Sequence, residues 1–205
     1  MEIILATGNK GKLKEMRGLL SGIDVNLNVL DFNEVAEPEE TGLTFEENSI
    51  IKSEYYSSLT NGICVSDDSG LVIPVLNGDP GIYSSRWAGP EKDFNSAIQK
   101  IRNRMLQKGV FIESGVVDAF FYCSIAIKVP NEAVKVFVGK VDGKLVYPGR
   151  GCNGFGYDSI FIPFGSSVTY AEMTFLQKSA DNHRFRAAVK LKDYINSCKK
   201  NTSVV

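Results

Sequence analysis

Short apolar runs alternate with amphipathic segments along this chain, and that alternation restricts its fold more than any other feature. The predicted strands are 2–6, 25–30, 63–66, 71–76, 116–129, 133–141 and 159–162. The predicted helices are one beginning near Lys10, with Asn9 or Gly8 as its cap, then 44–59, 94–105 and 180–199. The helix 44–59 opens with a capping box at Thr44, and its predicted apolar face is Ile51, Tyr55 and Leu59. The predicted apolar face of 94–105 includes Ala97, Ile101 and Met105. The two long strands joined at Pro130-Asn131 form a hairpin that interrupts the alternation. The pattern predicts an α/β fold with a long central mixed sheet flanked by helices.

Length and charge narrow the classes of function. The 205 residues, 43% of them hydrophobic, suit a single domain, residues 1–205, with a core of its own. Lys plus Arg is 23 and Asp plus Glu is 24, a net charge of −1 that argues against a nucleic-acid binder. The single histidine, His183, excludes a His-rich metal centre, and any Ser-His-Asp chemistry would need that one ring.

The cysteines and the apolar segments indicate the cellular compartment in which the protein is found. Four widely spaced cysteines contain no Cys-x-x-Cys pair, which disfavours a zinc ribbon or a redox motif. Cys64 and Cys123 lie in apolar runs and are predicted to be core residues. The amino-terminal segment lacks the pattern of a signal peptide, and no apolar stretch approaches the ~20 residues of a membrane helix. We expect a soluble cytoplasmic protein with no membrane partner.

The segment 7–12, Thr-Gly-Asn-Lys-Gly-Lys, follows a predicted strand and opens a helix. Such a helix start presents backbone N–H groups and positive charge, which favour phosphate. It is not a Walker A loop, since Leu13 follows Lys12 and Ala6 stands where the first glycine should be. The alternative interpretation is a plain helix cap with exposed lysines.

Two acidic segments supply candidate carboxylates. Asp67 and Asp68 begin the run Asp-Asp-Ser-Gly at 67–70, where one carboxylate is predicted to face a given cleft because strand residues alternate. That carboxylate suits a hard cation or a general base, and the alternative is a turn. The acidic loop 34–40 could complete a magnesium site, because Mg²⁺ takes few protein carboxylates, or could be only a solvated loop.

Two further segments suit a flat, polar ligand. The loop 149–158 contains a literal G-x-G-x-x-G, but no helix pattern follows, which excludes a dinucleotide site. Its glycines and two aromatic residues fit a backbone that bends around a flat ligand, or a connection with aromatics in the core. The segment 178–184 carries cationic side chains at a predicted helix start, where they are electrostatically unfavourable, which hints at function.

Together these segments closely resemble the inosine triphosphate pyrophosphatase family, the XTP/dITP pyrophosphatases. Six motifs carry the resemblance in order along nearly the whole chain. They are Thr7-Gly8-Asn9 with Lys12, 40–48 (ETGLTFEEN), 67–71 (DDSGL), 80–86 (PGIYSSR), 154–158 (GFGYD) and His183-Arg184.

The resemblance implies a two-lobed α/β protein with the active-site cleft between the lobes, usually a homodimer. The implied reaction hydrolyses ITP, dITP or XTP between the α and β phosphates with Mg²⁺. It gives the monophosphate and pyrophosphate and so cleanses the nucleotide pool. The implied substrate is a small purine nucleoside triphosphate rather than a nucleic acid.

The resemblance also assigns the residues that bind phosphate and metal. The phosphates would lie on one loop, Thr7, Gly8, Asn9, Lys10, Gly11 and Lys12. Lys52 and Arg86 would neutralise phosphate charge, with Ser69 nearby. Glu40 and Asp68 would bind the metal, and Asp68 would be the general base.

The resemblance assigns recognition of the purine base to the later motifs. Phe155 would stack on the base, supported by three neighbours: Gly156, Tyr157 and Asp158. Three donors would read the polar edge of the base: Lys178, His183 and Arg184. A 6-oxo purine would satisfy these donors, whereas the 6-amino group of ATP would leave them unpaired.

Two alternative functions stay open at this point. A related pyrophosphatase could prefer modified pyrimidine or other bulky nucleotides, since Phe155 would stack on either kind of base. A nucleotide-binding module without turnover is disfavoured by Glu40 and Asp68, because carboxylates near a triphosphate weaken binding unless they serve chemistry.

Overall fold

The structure, a computed structural model, describes residues 1–30, 35–111 and 117–202. Its strands are β1 Glu2–Leu5, β2 Asn26–Val29, β3 Cys64–Val72, β4 Val117–Lys128, β5 Lys135–Leu145 and β6 Phe161–Pro163. Its α-helices are α1 Lys10–Leu20, α2 Phe45–Thr60, α3 Phe94–Gln107, α4 Phe175–Ala180 and α5 His183–Thr202. Residue 34 of the predicted acidic loop and residue 116 of the predicted hairpin lie outside the described residues.

Within the described residues the strands form one sheet in the order β2-β1-β3-β4-β5-β6. Strand β1 pairs in parallel with β2 and with β3, whereas β5 and β6 pair antiparallel. The prediction of a mixed sheet flanked by helices is therefore confirmed. None of the described helices is long and apolar enough to cross a membrane.

The chain divides into two compact units. The first contains Met1–Asp68, Cys123–Gly139 and the segment from His183 onward. Its main core joins β1, β3 and β4 to α1 and α5 through buried side chains that include Leu5, Val65 and Leu191. The predicted core position of Cys123 is confirmed here, since its side chain is fully buried.

Strand alternation separates the two faces of the sheet in this first unit. Ile3, Leu5 and Val65 belong to the core beneath α1 and α5. Cys64, which precedes Val65 in β3, and Ala6, which follows the end of β1, pack instead with Tyr56 of α2. Because successive strand residues point to opposite faces, α2 lies on the face opposite α1 and α5.

Helix α2 buries a polar face, which contradicts the predicted apolar face of Ile51, Tyr55 and Leu59. The side chains of Tyr55 and Leu59 are 36% and 56% exposed. The buried face is instead mostly small and polar: Phe45, Asn48, Ser49, Ser53, Tyr56 and Ser57.

Hydrogen bonds join this polar face to the sheet. Ser49 Oγ shares a 2.8 Å hydrogen bond with Ser124 Oγ of β4, and Ser66 Oγ of β3 donates to the Ser49 carbonyl at 2.7 Å. Small hydroxyl side chains let the helix backbone approach the sheet, and every polar group that they bury can find a nearby partner.

The second unit contains Ser69–Tyr122 and Lys140–Asn182. Helix α3 buries the predicted apolar face, which includes Ala97, Ile101 and Met105. The core of this unit contains stacked aromatic rings, with the Phe121 and Phe161 centroids 4.7 Å apart and those of Phe161 and Tyr170 5.3 Å apart.

Several predicted boundaries were wrong. Strand β3 continues through Asp67–Gly70 rather than breaking there. The segment 158–160 forms a 3-10 turn, so β6 begins only at Phe161. The last helix begins at His183 rather than at 180, and the short helix α4 before it was not predicted.

Candidate active site

The phosphate-binding candidates lie where β1 ends and α1 begins, in the first unit. Asn9 caps the helix: its Oδ1 accepts from the backbone N–H groups of Gly11 at 2.9 Å and Lys12 at 3.1 Å. The Asn9 N–H in turn donates to Thr7 Oγ1 at 3.3 Å. The helix cap that was the alternative interpretation is therefore present. The positive potential of this helix start comes from the macrodipole and from Lys10 and Lys12.

Lys12 belongs to a buried ion network. Its Nζ lies 3.0 Å from Asp67 Oδ2, and Arg184 Nη2 donates to the same oxygen at 3.1 Å. Arg184 Nη1 also donates to Glu15 of α1. The side chains of Arg184 and Glu15 are only 1% and 3% exposed, whereas that of Lys12 is 16% exposed.

The charges in this network stabilise one another. Burial alone would raise the pKa of Asp67, but Lys12 and Arg184 outweigh it and hold that pKa well below its usual range. Burial would likewise lower the pKa of Arg184, and Asp67 and Glu15 more than compensate. The carboxylate and the guanidinium are therefore both ionised, and together they fix Lys12 beside the start of α1.

Asp68 faces the other side of β3 and meets α2. Asn48 Nδ2 donates to Asp68 Oδ2 at 3.2 Å, and Lys52 Nζ lies 3.7 Å from Asp68 Oδ1. Lys52 Nζ also donates to Glu40 Oε1 at 2.6 Å. The structure thus brings Glu40, Lys52 and Asp68 together, as the resemblance implies.

The electrostatics of Asp68 differ from those of its neighbour. Burial raises the pKa of Asp68 above its ordinary value; Lys52 and Lys12 oppose the shift, and Glu40 and Asp67 add to it. For Lys52, burial lowers the pKa, but Asp68, Glu40 and Asp67 outweigh it and raise the pKa overall. Of the two adjacent aspartates, Asp68 is therefore the one whose pKa is raised, whereas the pKa of Asp67 is lowered.

The donor set around Lys52 fits a hard divalent cation. Two carboxylates, from Glu40 and Asp68, converge on one ammonium group, and oxygen ligands are those that Mg²⁺ prefers. Among the described residues no group of three or more His, Cys, Asp or Glu side chains could hold a metal. Two carboxylates suffice for Mg²⁺ when substrate phosphates and water complete its shell.

The base-binding candidates of the second unit form a cluster of their own. Lys178 Nζ donates to Asp158 Oδ2 at 2.6 Å, and the Phe155 N–H donates to the same oxygen at 2.9 Å. Lys178 Nζ also lies 4.5 Å from the centroid of the Phe155 ring and 5.5 Å from that of Tyr170. Asp158 and Lys178 are buried, and Phe155 is half-buried.

Glycine permits the tight turn that carries Phe155. Gly154 has a φ of +76°, and a Cβ there would collide with the Asp158 carboxylate. Gly156, at a φ of +69°, completes the turn. Tyr157 is a core residue, since its ring meets Phe94 edge-on and its hydroxyl donates to the Ser84 carbonyl at 2.9 Å. The core interpretation therefore applies to Tyr157, which lies behind the turn.

The remaining predicted residues have separate places. Ser69 is a half-buried residue of β3. Arg86 is exposed in the second unit, with its guanidinium 5.1 Å from the centroid of the Tyr83 ring. His183 is buried as the first residue of α5. Lys178 lies in the last turn of α4, where positive charge is favourable, and not at a helix start as predicted.

A model of the Ham1 family matches residues 3–194 of this sequence. The chain belongs to the Ham1 family. A Bacillus subtilis protein named dITP/XTP pyrophosphatase is 43% identical over 193 residues, covering 93% of this chain and 94% of that protein. A Caulobacter vibrioides protein of the same name is 40% identical over 193 residues, covering 93% and 96%.

Solved structures agree with this Ham1 assignment. A HAM1 protein from Coxiella burnetii superposes with a TM-score of 0.85 at 35% identity, covering 96% of this chain and 99% of that one. The Staphylococcus aureus Ham1 protein gives a TM-score of 0.82 at 35% identity, with the same coverage. The family resemblance and the fold class predicted from the motifs are confirmed.

Sequence reasoning missed two members of the ion network in this Ham1-family chain. Glu15 is the one acidic residue of α1, lies one turn after Lys12 and is buried. Asp67 was grouped with Asp68 but serves the opposite face of β3. A lone acid among basic residues, three positions from a candidate lysine, was the available signal for Glu15.

We predict that Arg184→Met destabilises the protein by about 3–5 kcal/mol, because it removes the buried guanidinium that the carboxylates of Glu15 and Asp67 share. Urea unfolding followed by circular dichroism measures the change. The matched control is Arg17→Met, which removes an exposed arginine from α1 and should cost less than about 1 kcal/mol. An Arg184→Met protein as stable as the control would contradict the stabilising role of the network.

Proposed function

We propose that this protein is a Mg²⁺-dependent nucleoside-triphosphate pyrophosphatase that hydrolyses dITP, ITP and XTP to the monophosphate and pyrophosphate. The observation that carries the proposal is the convergence of Glu40 and Asp68 on Lys52, beside a fixed Lys12 at a helix start. The names of the relatives from B. subtilis and C. vibrioides support the substrate class. The family resemblance also supports a homodimer acting on free nucleotides in the cytoplasm.

The proposed reaction is attack of water on the α-phosphorus. The new bond joins the water oxygen to that phosphorus, the bond from the α-phosphorus to the α–β bridging oxygen breaks, and pyrophosphate leaves. Phosphoryl transfer of this kind needs charge neutralisation and positioning, and no covalent enzyme intermediate. Bound by Glu40 and Asp68, Mg²⁺ would supply part of the charge neutralisation.

The protein's own groups supply the remaining functions. Asp68 orients the attacking water and accepts its proton, and the raised pKa of its carboxyl group favours this role as a base. Lys52 and Lys12 neutralise phosphate charge, aided by the positive end of α1. Arg86 is assigned to the same neutralisation on the family resemblance.

For base recognition, we assign stacking to Phe155 and edge recognition to Lys178 and His183. Asp158 accepts from Lys178 and so orients its ammonium, which has three N–H donors and is assigned as the donor to an acceptor such as a 6-oxo group. The 6-amino group of ATP would face these donors as another donor, a mismatch that can give selectivity on the order of 10⁴. The assignment of Arg184 to the base edge stays a prediction, and its guanidinium contacts Glu15 and Asp67.

A panel of triphosphates at one Mg²⁺ concentration tests the reaction. We expect pyrophosphate and monophosphate from ITP, dITP and XTP, little product from ATP and dUTP, and no turnover when EDTA removes the metal. Pyrophosphate and orthophosphate are measured separately. Orthophosphate as the product from ITP would contradict the proposed bond cleavage, and a preference for dUTP would favour a pyrimidine substrate. Thermal stabilisation by ITP without any product would indicate a binding protein.

We predict that Asp68→Asn lowers turnover of ITP by roughly 10²–10⁴-fold, because the amide cannot accept the proton of water. The protein should still fold and bind ITP, since the amide keeps the size of the carboxyl group. The control is Asp118→Asn, which replaces an exposed carboxylate on β4. Near-normal turnover in the Asp68→Asn protein would refute its role as base.

We predict that His183→Ala lowers the ratio of kcat/KM for ITP to kcat/KM for ATP, because it removes one of the protein's donors to the polar edge of the base. The free energy of unfolding should change little by comparison. Steady-state kinetics with both nucleotides gives the ratio, and urea unfolding gives the stability. The control is Asp193→Ala, at an exposed position of the same helix. The same ITP/ATP ratio in the His183→Ala and native proteins would count against the assignment.

A further inference from the structure

Asn48 is a buried amide that no predicted role includes. It lies on α2 one turn before Lys52, and its side chain is fully buried. Both ends of the amide make hydrogen bonds: Nδ2 donates to Asp68 Oδ2 at 3.2 Å, and Oδ1 accepts from the Gly42 N–H at 2.9 Å. An ionised carboxylate only accepts and a backbone N–H only donates, so these two partners together fix the orientation of the amide.

The contact with Gly42 ties down the segment that carries Glu40. Gly42 packs so closely on α2 that a Cβ there would lie 2.7 Å from Asn48 Oδ1 and 2.6 Å from Glu47 Cβ. The next residue is held as well, because the Leu43 N–H donates to Glu47 Oε2 at 2.6 Å. The backbone two residues after Glu40 is therefore fastened to the first turns of α2.

Asn48 thus joins the two carboxylates that converge on Lys52. One end of its amide orients Asp68, and the other end holds the backbone that presents Glu40. Lys52 contacts both carboxylates from the next turn of the same helix, so one rigid helix sets the spacing of all three groups. A shorter side chain at position 48 could not bridge the two partners.

We propose that Asn48 is a positioning residue that holds Asp68 and the Glu40 segment in the arrangement that binds the divalent cation. This inference rests on the proposed function, because it concerns the metal site assigned there. Outer partners of metal ligands commonly change metal affinity by 10–100-fold when they are removed.

Mn²⁺ binding to the nucleotide-free full chain, followed by electron paramagnetic resonance, tests the proposal without turnover. We expect Asn48→Ala to weaken Mn²⁺ affinity by at least about tenfold and Asp68→Asn to weaken it further. The matched control is Ser53→Ala, since Ser53 is equally buried on α2 and its hydroxyl donates only to the Ile50 carbonyl of its own helix. Its Mn²⁺ affinity should equal that of the native protein.

Kinetics adds a second readout. For Asn48→Ala we expect a higher Mg²⁺ concentration at half-maximal turnover of ITP, with the KM for ITP at saturating Mg²⁺ changed less than about threefold. If Asn48→Ala does not fold, Asn48→Leu fills the same space without hydrogen bonds and should show the same loss of affinity.

The outcomes separate this inference from the proposed function. Native Mn²⁺ affinity in a folded Asn48 variant, with the affinity lost in Asp68→Asn, would overturn the role of Asn48 and leave the metal site intact. Equal Mn²⁺ affinity in the native and Asp68→Asn proteins would overturn the metal site itself, and the inference with it. An equal loss of affinity in Ser53→Ala and Asn48→Ala would reduce Asn48 to a structural residue.

Discussion

The neutralisation of two adjacent buried carboxylates on β3 is the constraint on which the first unit depends. Asp67 and Asp68 are 4% and 6% exposed, and an unpaired charge at such depth would cost several kcal/mol. Strand alternation sends them to opposite faces, so their short ion pairs are made with different helices. Each face of the sheet must therefore supply its own cations, and α1 with α5 does so for Asp67 while α2 does so for Asp68.

This division explains why α2 has such an unusual buried face. A helix covering Asp68 with leucines would leave the carboxylate without hydrogen bonds, whereas Asn48 and Lys52 satisfy it from successive turns. The serines between and beyond them keep the helix close enough for those contacts. The polar face of α2 thus supplies partners to a buried carboxylate whose pKa is raised above its ordinary value by burial.

Local signals predicted the parts of the fold that local forces determine. The Thr44 capping box and the Asn9 cap are visible as spacing of a few residues, and both are present. Burial of α2 was predicted wrongly, because hydrophobic periodicity cannot detect a helix that buries serine and asparagine. The partner of Arg184 was also out of reach, since Glu15 lies 169 positions away and only the folded chain brings the two together. Glu40, Lys52 and Asp68 were assigned to one site through the family resemblance. The family motifs indicate which distant segments share a site, and the local sequence pattern does not.

The balance of charge in the ion pairs around Asp67 and Asp68 supports the divalent cation proposed for this site. The ion pairs of this region join three cations, Lys12, Lys52 and Arg184, to four carboxylates, Glu15, Glu40, Asp67 and Asp68. Those seven groups carry a net negative charge when all are ionised, so a polyanionic triphosphate would be repelled by them. The two positive charges of a divalent cation would reverse that sign, which supports the proposed Mg²⁺ more strongly than the presence of carboxylates by itself. The near-zero net charge of the whole chain thus conceals a local excess of carboxylates over cations in these ion pairs.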